Sequence, residues 1–248
     1  MIKHIHYDQT NPFQRKIRNM INKLGFDIYQ FRSDQVGYDP IRDIRKFSHM
    51  DNPLIFDVGA NVGQSILRFS NQFPNYYIHS FEPSPSIFLE LKKQARRYKN
   101  VRLWNCALGS SSGIMTLYEN SNSDMSSFLS LGKSGWGTIT KETPVEVKTI
   151  DQVVCEEKID FIDILKSDTQ GFDLEVFKGA EETFKSNKIG FVFFEVNFSD
   201  IYNNSPSFSE EFDFLIRRNF RLVSFYRFYY HNNLAQWTDA LFVHESYL

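Results

Sequence analysis

The chain has 248 residues, 42% of them hydrophobic, and its 28 basic and 30 acidic residues give a formal net charge of −2 at pH 7. This length predicts one substantial hydrophobic core rather than two full-sized domains. The balanced charge provides no positive surplus for a nucleic-acid backbone or an acidic membrane surface, so neither partner is expected.

The N-terminal residues predict two helices. Pro12 follows Asn11 as at a helix start, and apolar residues then recur at helical spacing as far as Gly25. A shorter helix is predicted from Asp39-Pro40 to the break at Asn52-Pro53. We treat these residues as an N-terminal helical extension that could cap a sheet, cover a cleft or form an oligomer contact.

The sequence contains no apolar run that resembles a signal peptide or a membrane span. Its two cysteines, Cys106 and Cys155, lack the spacing of a disulfide framework or a cysteine metal site. We therefore expect a cytoplasmic protein without a membrane span, and the oligomeric state remains open.

From Leu54 onward, short apolar strands alternate with helices, which is typical of a parallel sheet covered on both faces. We therefore predict a doubly wound, Rossmann-like α/β domain over residues 51–248, after an extension of residues 1–50. Residues 119–138 are rich in Ser, Asn and Gly and predict a long loop of the kind that covers a ligand. The predicted strands lie near 54–58, 76–81, 101–106, 144–149, 160–166, 189–196, 220–228 and 238–244, and predicted helices follow Gly63 and Ser84, span 172–185 and surround Phe212.

A glycine-containing turn follows the first predicted strand, where Asp57 precedes Gly59 and Gly63. Glycine allows close backbone approach to a ligand, and the next helix exposes unpaired amides at its N-terminus. The dinucleotide pattern G-x-G-x-x-G is not met, because Asn61 stands at the second glycine position. Asp57 would also repel a diphosphate, so a ligand with an amino group or cationic centre fits better.

The second strand ends at Glu82, 25 residues after Asp57. An acidic residue at this position can accept hydrogen bonds from both hydroxyls of a ribose. Together with the glycine turn, Glu82 indicates an adenosyl ligand. The structural alternative is that Glu82 only precedes and caps the next helix.

These features make the sequence resemble the class I S-adenosylmethionine-dependent methyltransferases and, more narrowly, the FkbM family. The resemblance covers nearly everything after residue 50 and implies a sheet of about seven strands. The motifs that carry it are DVGANVGQ at 57–64, FEPSP at 81–85, CALGSSSG at 106–113, VKTIDQV at 147–153, LKSDTQGFDLEVFKGA at 165–180 and TDALFV at 238–243.

The resemblance implies S-adenosylmethionine as cofactor and assigns its binding residues. The ribose would be held at Glu82-Pro83, and the adenine would lie against Cys106-Ala107. Residues 166–171 correspond to the family's motif beside the transferred methyl group, although Gln170 is neutral where many members have Glu, so Gln170 is not a base candidate. The methionine part would be held by Asp57, Gly59, Ala60, Asn61, Gly63 and Gln64.

Three carboxylates at the ends of predicted strands are the catalytic candidates: Asp168, Glu195 and Asp239. Ligands bind outside the carboxyl ends of such strands, so these side chains could converge. One could act as general base toward a hydroxyl, or the three could bind a divalent ion that acidifies it. Alternatively, Asp168 orients its loop, Glu195 caps a helix and Asp239 pairs with an arginine.

By resemblance, the protein is an S-adenosylmethionine-dependent O-methyltransferase acting on a hydroxyl of a sugar, glycan or secondary metabolite. Trp136, Trp237 and Tyr202 could form a stacking wall for a sugar, and Ser126 and Ser127 could reach the ligands. One rival is a binding module for the same cofactor without catalysis. The other is an NAD-dependent oxidoreductase or epimerase, which the residue at position 61 disfavours.

Overall fold

The computed structural model describes residues 12–25, 35–48 and 50–248. The backbone divides into two compact units, Met1–Gln35 and Val36–Leu248. In the first unit, helix α1 spans Pro12–Asn22 within the predicted helix, whose proposed start at Asn11 lies outside the described residues. Among the described residues, none of the helices combines the length and apolar character needed to cross a membrane.

The larger unit alternates strands with helices, as predicted from Leu54 onward. Its described helices are α2 (Pro40–Phe47), α3 (Gln64–Gln72), α4 (Pro85–Ala95), α5 (Ile150–Glu157), α6 (Asp173–Lys178), α7 (Glu181–Lys185) and α8 (Phe208–Ile216). Its strands are β1 (Leu54–Val58), β2 (Tyr77–Phe81), β3 (Val101–Trp104), β4 (Ala107–Leu108), β5 (Gly113–Asn120), β6 (Ile139–Lys148), β7 (Ile162–Ser167), β8 (Ile189–Asn197), β9 (Phe220–Phe225), β10 (Tyr229–His231) and β11 (Leu234–His244).

The central sheet has the order β10-β11-β8-β7-β1-β2-β3, and β9 also pairs with β11. Within this sheet, the neighbouring strands β8, β7, β1, β2 and β3 are parallel to one another. Strand β11 runs antiparallel to β8, β9 and β10. The chain moves to one side of β1 through β2 and β3, and to the other side through β7 and β8. This reversal confirms the predicted doubly wound α/β class and places a ligand crevice outside the carboxyl ends of β1 and β7.

Both faces of the sheet are buried because successive residues of a strand point to opposite sides. On one face, Phe56 and Leu165 join a core that includes side chains of α5, α6, α7 and α8. On the other face, Ile55 and Ile164 join a core that includes side chains of α2, α3 and α4. The near-continuous apolar runs of β1 and β8 are therefore explained by burial on two sides.

Helix α2 belongs to the larger unit. Asp39 caps it by accepting a hydrogen bond from the amide of Arg42 at 2.8 Å, and Ile41 and Ile44 are buried in the core beside the sheet. The boundary predicted at residue 50 therefore falls after a helix that packs with the sheet.

Two features differ from the sequence-based expectations. A small second sheet with the order β4-β6-β5 was not predicted; only the second half of β6 overlaps a predicted strand, at 144–149, and the other residues were predicted to be loop or left unassigned. Most side chains of β5 and β6 are exposed, so their apolar pattern is weak. The helix predicted over residues 172–185 is instead two short helices, α6 and α7, with a break at Gly179-Ala180.

Candidate active site

A cavity of about 470 Å³ lies at the carboxyl ends of the parallel strands. Its size falls within the range of about 300–1,000 Å³ that is usual for small-molecule sites. Segments that follow β1, β2 and β7 contribute to its wall, together with residues of β8, β11 and the loop between β5 and β6.

The turn after β1 has a tightly constrained backbone. Gly59 has a φ of 73°, and a Cβ atom there would lie 2.0 Å from the carbonyl oxygen of Asp168. The amides of Gly59 and Ala60 both donate to the carbonyl oxygen of Phe81, at 3.1 and 2.9 Å. Glycine is therefore required for the close approach of the loops after β1 and β7.

Asn61 connects this turn to two other parts of the cavity wall. Its main-chain amide donates to Oε2 of Glu82 at 3.0 Å. Its side-chain Nδ2 donates to Oδ1 of Asp124 at 2.8 Å, in the long loop before β6. The residue that breaks the dinucleotide motif therefore joins the turn to that loop.

Glu82 is buried and faces the cavity. Its Oε1 accepts a hydrogen bond from the amide of Ser84 at 2.8 Å, while Oε2 accepts from Asn61. Burial raises the pKa of Glu82 to about 7, against the lowering effect of these two amide donors. The N-cap of α4 is Ser84, so the capping alternative for Glu82 is wrong.

Asp57 lies behind the cavity wall and is fully buried. Nζ of Lys166 lies 3.1 Å from Oδ1 of Asp57, 3.6 Å from Oδ2 of Asp168 and 3.2 Å from the carbonyl oxygen of Gly59. Burial alone would lower the pKa of Lys166, but the two carboxylates raise it above its usual value. Sequence reasoning placed Lys166 within the motif at 166–171 but gave it no role; the available signal was a lysine directly after the buried Ile164 and Leu165 of β7.

The predicted cofactor residues divide into two groups by position. Asp57, Gly63 and Cys106 lie behind the wall; Gly63 is the N-cap of α3, and burial raises the pKa of the Cys106 thiol to about 12. The residues that line the cavity are Gly59, Ala60, Asn61, Gln64, Glu82, Pro83 and Ala107.

The three carboxylates predicted at strand ends all line this cavity. Ser167 pairs with Phe194 across β7 and β8, and Asp239 pairs with Glu195 across β11 and β8. Asp168 and the two paired carboxylates therefore occupy corresponding levels on three successive strands. Strand neighbours lie about 4.8 Å apart, which brings the groups into one row.

Two carboxyl groups of this row, Glu195 and Asp239, have pKa values raised above their usual values. Burial, then repulsion from Asp168, Asp173 and Asp239, raises the pKa of Glu195 well above its usual value. Burial and then Asp168 raise the pKa of Asp239 to about 6. The raised pKa of Glu195 favours its protonated form, which can donate a hydrogen bond.

Two alternatives for the carboxylates find no support. Ser207 and Glu210 form the capping box of α8, so Glu195 does not cap that helix. Among residues 12–25, 35–48 and 50–248, no group of three or more His, Cys, Asp or Glu side chains is arranged to hold a metal ion.

The aromatic wall differs from the predicted one. The ring centroids of Trp136 and Trp237 lie 5.3 Å apart, and Tyr229 stacks on Trp237 at 4.5 Å with nearly parallel planes. All three residues line the cavity. Tyr202 is not part of this stack, because its hydroxyl instead donates to Gln170 at 2.6 Å. The prediction that Tyr202 is part of the wall is therefore wrong, and Tyr229 takes that place.

The predicted loop serines also line the cavity, where both make structural hydrogen bonds. Oγ of Ser127 donates to the carbonyl oxygen of Gln170 at 2.8 Å. Oγ of Ser126 accepts from the amide of Asn120 at 3.1 Å. These bonds hold the long loop at the mouth of the site.

The doubly wound sheet, the glycine turn after β1 and the buried acid after β2 define a class I S-adenosylmethionine-dependent methyltransferase. The family model described as the methyltransferase FkbM domain matches residues 57–222, and the chain belongs to this family. The resemblance inferred from the motifs is thereby confirmed.

Two curated relatives and one solved structure are similar to this chain. The 2-O-methyltransferase NoeI of Sinorhizobium fredii is 23% identical over 172 residues, which cover 65% of this chain and 70% of that protein. The hexuronic acid methyltransferase AglP of Haloferax volcanii is 26% identical over 174 residues, which cover 69% of this chain and 66% of that protein. The crystal structure of magnesium protoporphyrin IX methyltransferase from Synechocystis matches with a TM-score of 0.47 and 11% identity, covering 96% of this chain and all of that one.

Proposed function

We propose that this enzyme transfers a methyl group from S-adenosylmethionine to a hydroxyl group of a sugar, glycan or secondary metabolite, with a sugar hydroxyl as the favoured acceptor. The observation that carries the proposal is that one cavity contains both halves of such a site. Its lining includes the glycine turn and Glu82, here called the cofactor end of the site, as well as the row of carboxylates and the aromatic stack, here called the acceptor end.

The residues near β1 and β2 fit the cofactor. Each oxygen of Glu82 accepts one main-chain amide, and an ionised carboxylate has about four acceptor sites, which leaves one on each oxygen for a ribose hydroxyl. The turn at Gly59 would hold the methionine part, with Asp57 paired to Lys166 behind it, and Ala107 would contact the adenine. When bound, the cofactor supplies an electrophilic methyl group.

Asp168 is the residue that we assign as the general base. Oδ1 accepts a hydrogen bond from Nε2 of Gln170 at 2.9 Å, and Oδ2 lies 3.6 Å from the ammonium group of Lys166. These two contacts fix the position of the carboxylate, which can take the proton of an acceptor hydroxyl. Holding that hydroxyl against the base and in line with the methyl group supplies much of the acceleration.

The other two carboxylates suit recognition of a polyhydroxylated acceptor. In its protonated form, Glu195 can donate a hydrogen bond to one acceptor oxygen, and Asp239 can accept one from a neighbouring hydroxyl. The faces of Trp136, Trp237 and Tyr229 provide a surface for the apolar side of a sugar ring. The names of the two relatives above, a 2-O-methyltransferase and a hexuronic acid methyltransferase, support an oxygen acceptor and a sugar.

The proposal is tested first by calorimetric titration with S-adenosylmethionine and, in parallel, with NAD. We expect saturable binding of S-adenosylmethionine alone. Transfer of labelled methyl groups is then measured on a panel of neutral, amino and uronic sugars and on flat phenolic acceptors. Methylation of phenols and of no sugar would overturn the assignment of the acceptor.

The aromatic surface is tested by Trp237→Ala, with Tyr77→Ala as a control because Tyr77 is exposed at the start of β2. We expect Trp237→Ala to raise the KM for the sugar while S-adenosylmethionine still binds. An unchanged sugar KM would remove the aromatic stack from acceptor binding.

A further inference from the structure

Gln170 has an unusual backbone position directly beside Asp168. Its φ of 56° lies in the left-handed region, and Gly171 follows with a φ of 85°. A left-handed conformation is unfavourable for a residue with a side chain, so surrounding contacts must hold it. One such contact is the hydrogen bond from Ser127 to the carbonyl oxygen of Gln170. The turn directs the Gln170 side chain back to Asp168.

The side chain of Gln170 forms a bridge between Tyr202 and Asp168. The Tyr202 hydroxyl donates to Oε1 of Gln170 at 2.6 Å, and Nε2 of Gln170 donates to Oδ1 of Asp168 at 2.9 Å. Lys166 lies on the other oxygen of Asp168. Each oxygen of this carboxylate therefore has one polar neighbour that restricts its rotation.

The charges around the bridge determine how the amide is oriented. The reverse orientation would place the amide oxygen against the carboxylate of Asp168, which is electrostatically unfavourable. Burial, then Glu195 and Asp168, raise the pKa of Tyr202, so its hydroxyl keeps the proton that it donates to Oε1. The Asp168 carboxylate, which can only accept, and the Tyr202 hydroxyl, which donates to Oε1, therefore together favour the orientation in which Gln170 donates to Asp168.

We propose that Gln170 is a positioning residue for methyl transfer, which aims the Asp168 carboxylate at the acceptor hydroxyl, and that Tyr202 sets the direction of its amide. The inference rests on the proposed function, in which Asp168 is the base. Gln170 itself takes no proton, because a side-chain amide does not act as a base near neutral pH.

A neutral donor at position 170 is important because the surroundings are already acidic. Lys166 is the cation beside Asp168, and its charge is shared with Asp57. A second carboxylate at position 170 would form a coupled pair with Asp168 that shares one proton. The other titratable groups that act on this region are Glu195 from β8, Asp239 from β11, Asp173 from α6, Tyr202 from the loop after β8 and Asp124 from the long loop.

The test compares Gln170→Leu and Gln170→Glu with the wild-type enzyme between about pH 5 and pH 9. Gln170→Leu removes the donor at every pH, so we expect kcat to fall by about 10- to 100-fold throughout, with the KM for S-adenosylmethionine unchanged. Gln170→Glu keeps a donor while the pair holds one proton and loses it when both groups are ionised. Its kcat relative to wild type should therefore be highest at acid pH and fall as the pH rises.

Gln94→Glu is the matched control, because Gln94 is exposed on α4 and the substitution makes the same change in charge. We expect its pH profile to follow that of the wild type. Thermal unfolding at each pH separates loss of activity from loss of folded protein. An equal loss for Gln170→Leu and Gln170→Glu at every pH, or no loss in either, would overturn the inference.

A measurement without turnover separates this inference from the proposed function. In protein labelled at the aspartate carboxyl carbons, the NMR resonance of Asp168 is assigned by its loss in Asp168→Asn. Gln170→Glu should add a titration step to this resonance that the wild type and Gln94→Glu lack. If no acceptor is methylated, the proposed function is wrong, and the added titration step still tests the contact between residue 170 and Asp168. If Gln170→Glu lacks the added step, the positioning role of Gln170 is wrong, whether or not an acceptor is methylated.

Discussion

Replacing Glu82 with Ala tests the cofactor end of the site. In the structure, the carboxylate of Glu82 accepts the amides of Ser84 and Asn61, at 2.8 and 3.0 Å, and it faces the cavity where the ribose is proposed to bind. The substitution removes the carboxylate that accepts these two amides and that is proposed to accept the two ribose hydroxyls.

The expected loss of binding follows from hydrogen bonds to a charged acceptor. Such bonds contribute roughly 1–3 kcal/mol, so we expect S-adenosylmethionine to bind Glu82→Ala about 5- to 150-fold more weakly. Titration calorimetry measures the change, and Glu90→Ala is the control, because Glu90 is an exposed residue of α4 whose carboxylate pairs with Lys93. Surface pairs of this kind contribute little to stability.

A double-mutant cycle separates the ribose contact from damage to the turn. The second ligand is an S-adenosylmethionine analogue without the two ribose hydroxyls. We expect wild type to discriminate between the two ligands and Glu82→Ala to discriminate far less, because the shared partner is missing. If Glu82→Ala weakens both ligands by the same factor, Glu82 only supports the turn and the ribose assignment is wrong.

Three further predictions follow from the same geometry. Because burial raises the pKa of Glu82 to about 7 and hydroxyl donors favour its ionised form, wild-type affinity for S-adenosylmethionine should be about tenfold weaker near pH 6 than near pH 8 by calorimetry. After correction for the titration of the ligand itself, Glu82→Ala should bind S-adenosylmethionine with the same affinity at the two pH values. Gly59→Ala places a Cβ 2.0 Å from the carbonyl oxygen of Asp168. Thermal unfolding should therefore show that the free energy of unfolding falls by more than about 2 kcal/mol. Asp168→Asn should leave cofactor affinity nearly unchanged and lower turnover about 100-fold or more; full turnover would remove Asp168 as the base.

The cofactor end of the site was predictable because its determinants are local in sequence. Gly59 and Gly63 are required by the backbone of one turn, and Glu82 follows the adjacent strand. Parallel strands bring their carboxyl ends to the same edge of a sheet, so two short motifs define most of this half. Even here, the sequence did not show that Asp57 lies behind the wall and contacts Lys166.

The acceptor end was less predictable because it is assembled from distant segments. Trp136 comes from the long loop, whereas Tyr229 and Trp237 come from two strands near the C-terminus. The bridge from Tyr202 to Gln170 joins residues 32 positions apart, and it depends on a left-handed backbone position that composition does not reveal. The second sheet was missed for a related reason, since exposed strands lack a strong apolar alternation.

Lys166 connects the two ends of the site through the register of the sheet. Asp57 and Lys166 are paired positions on the parallel strands β1 and β7, so their side chains project to the same face. Asp168 lies two residues further along the chain and reaches the same ammonium group. Removing that charge would leave Asp57 buried without compensation, which costs about 3–5 kcal/mol in comparable pairs. One lysine therefore lies against both the carboxylate behind the cofactor turn and the carboxylate assigned as base, so its substitution would disturb both ends of the site.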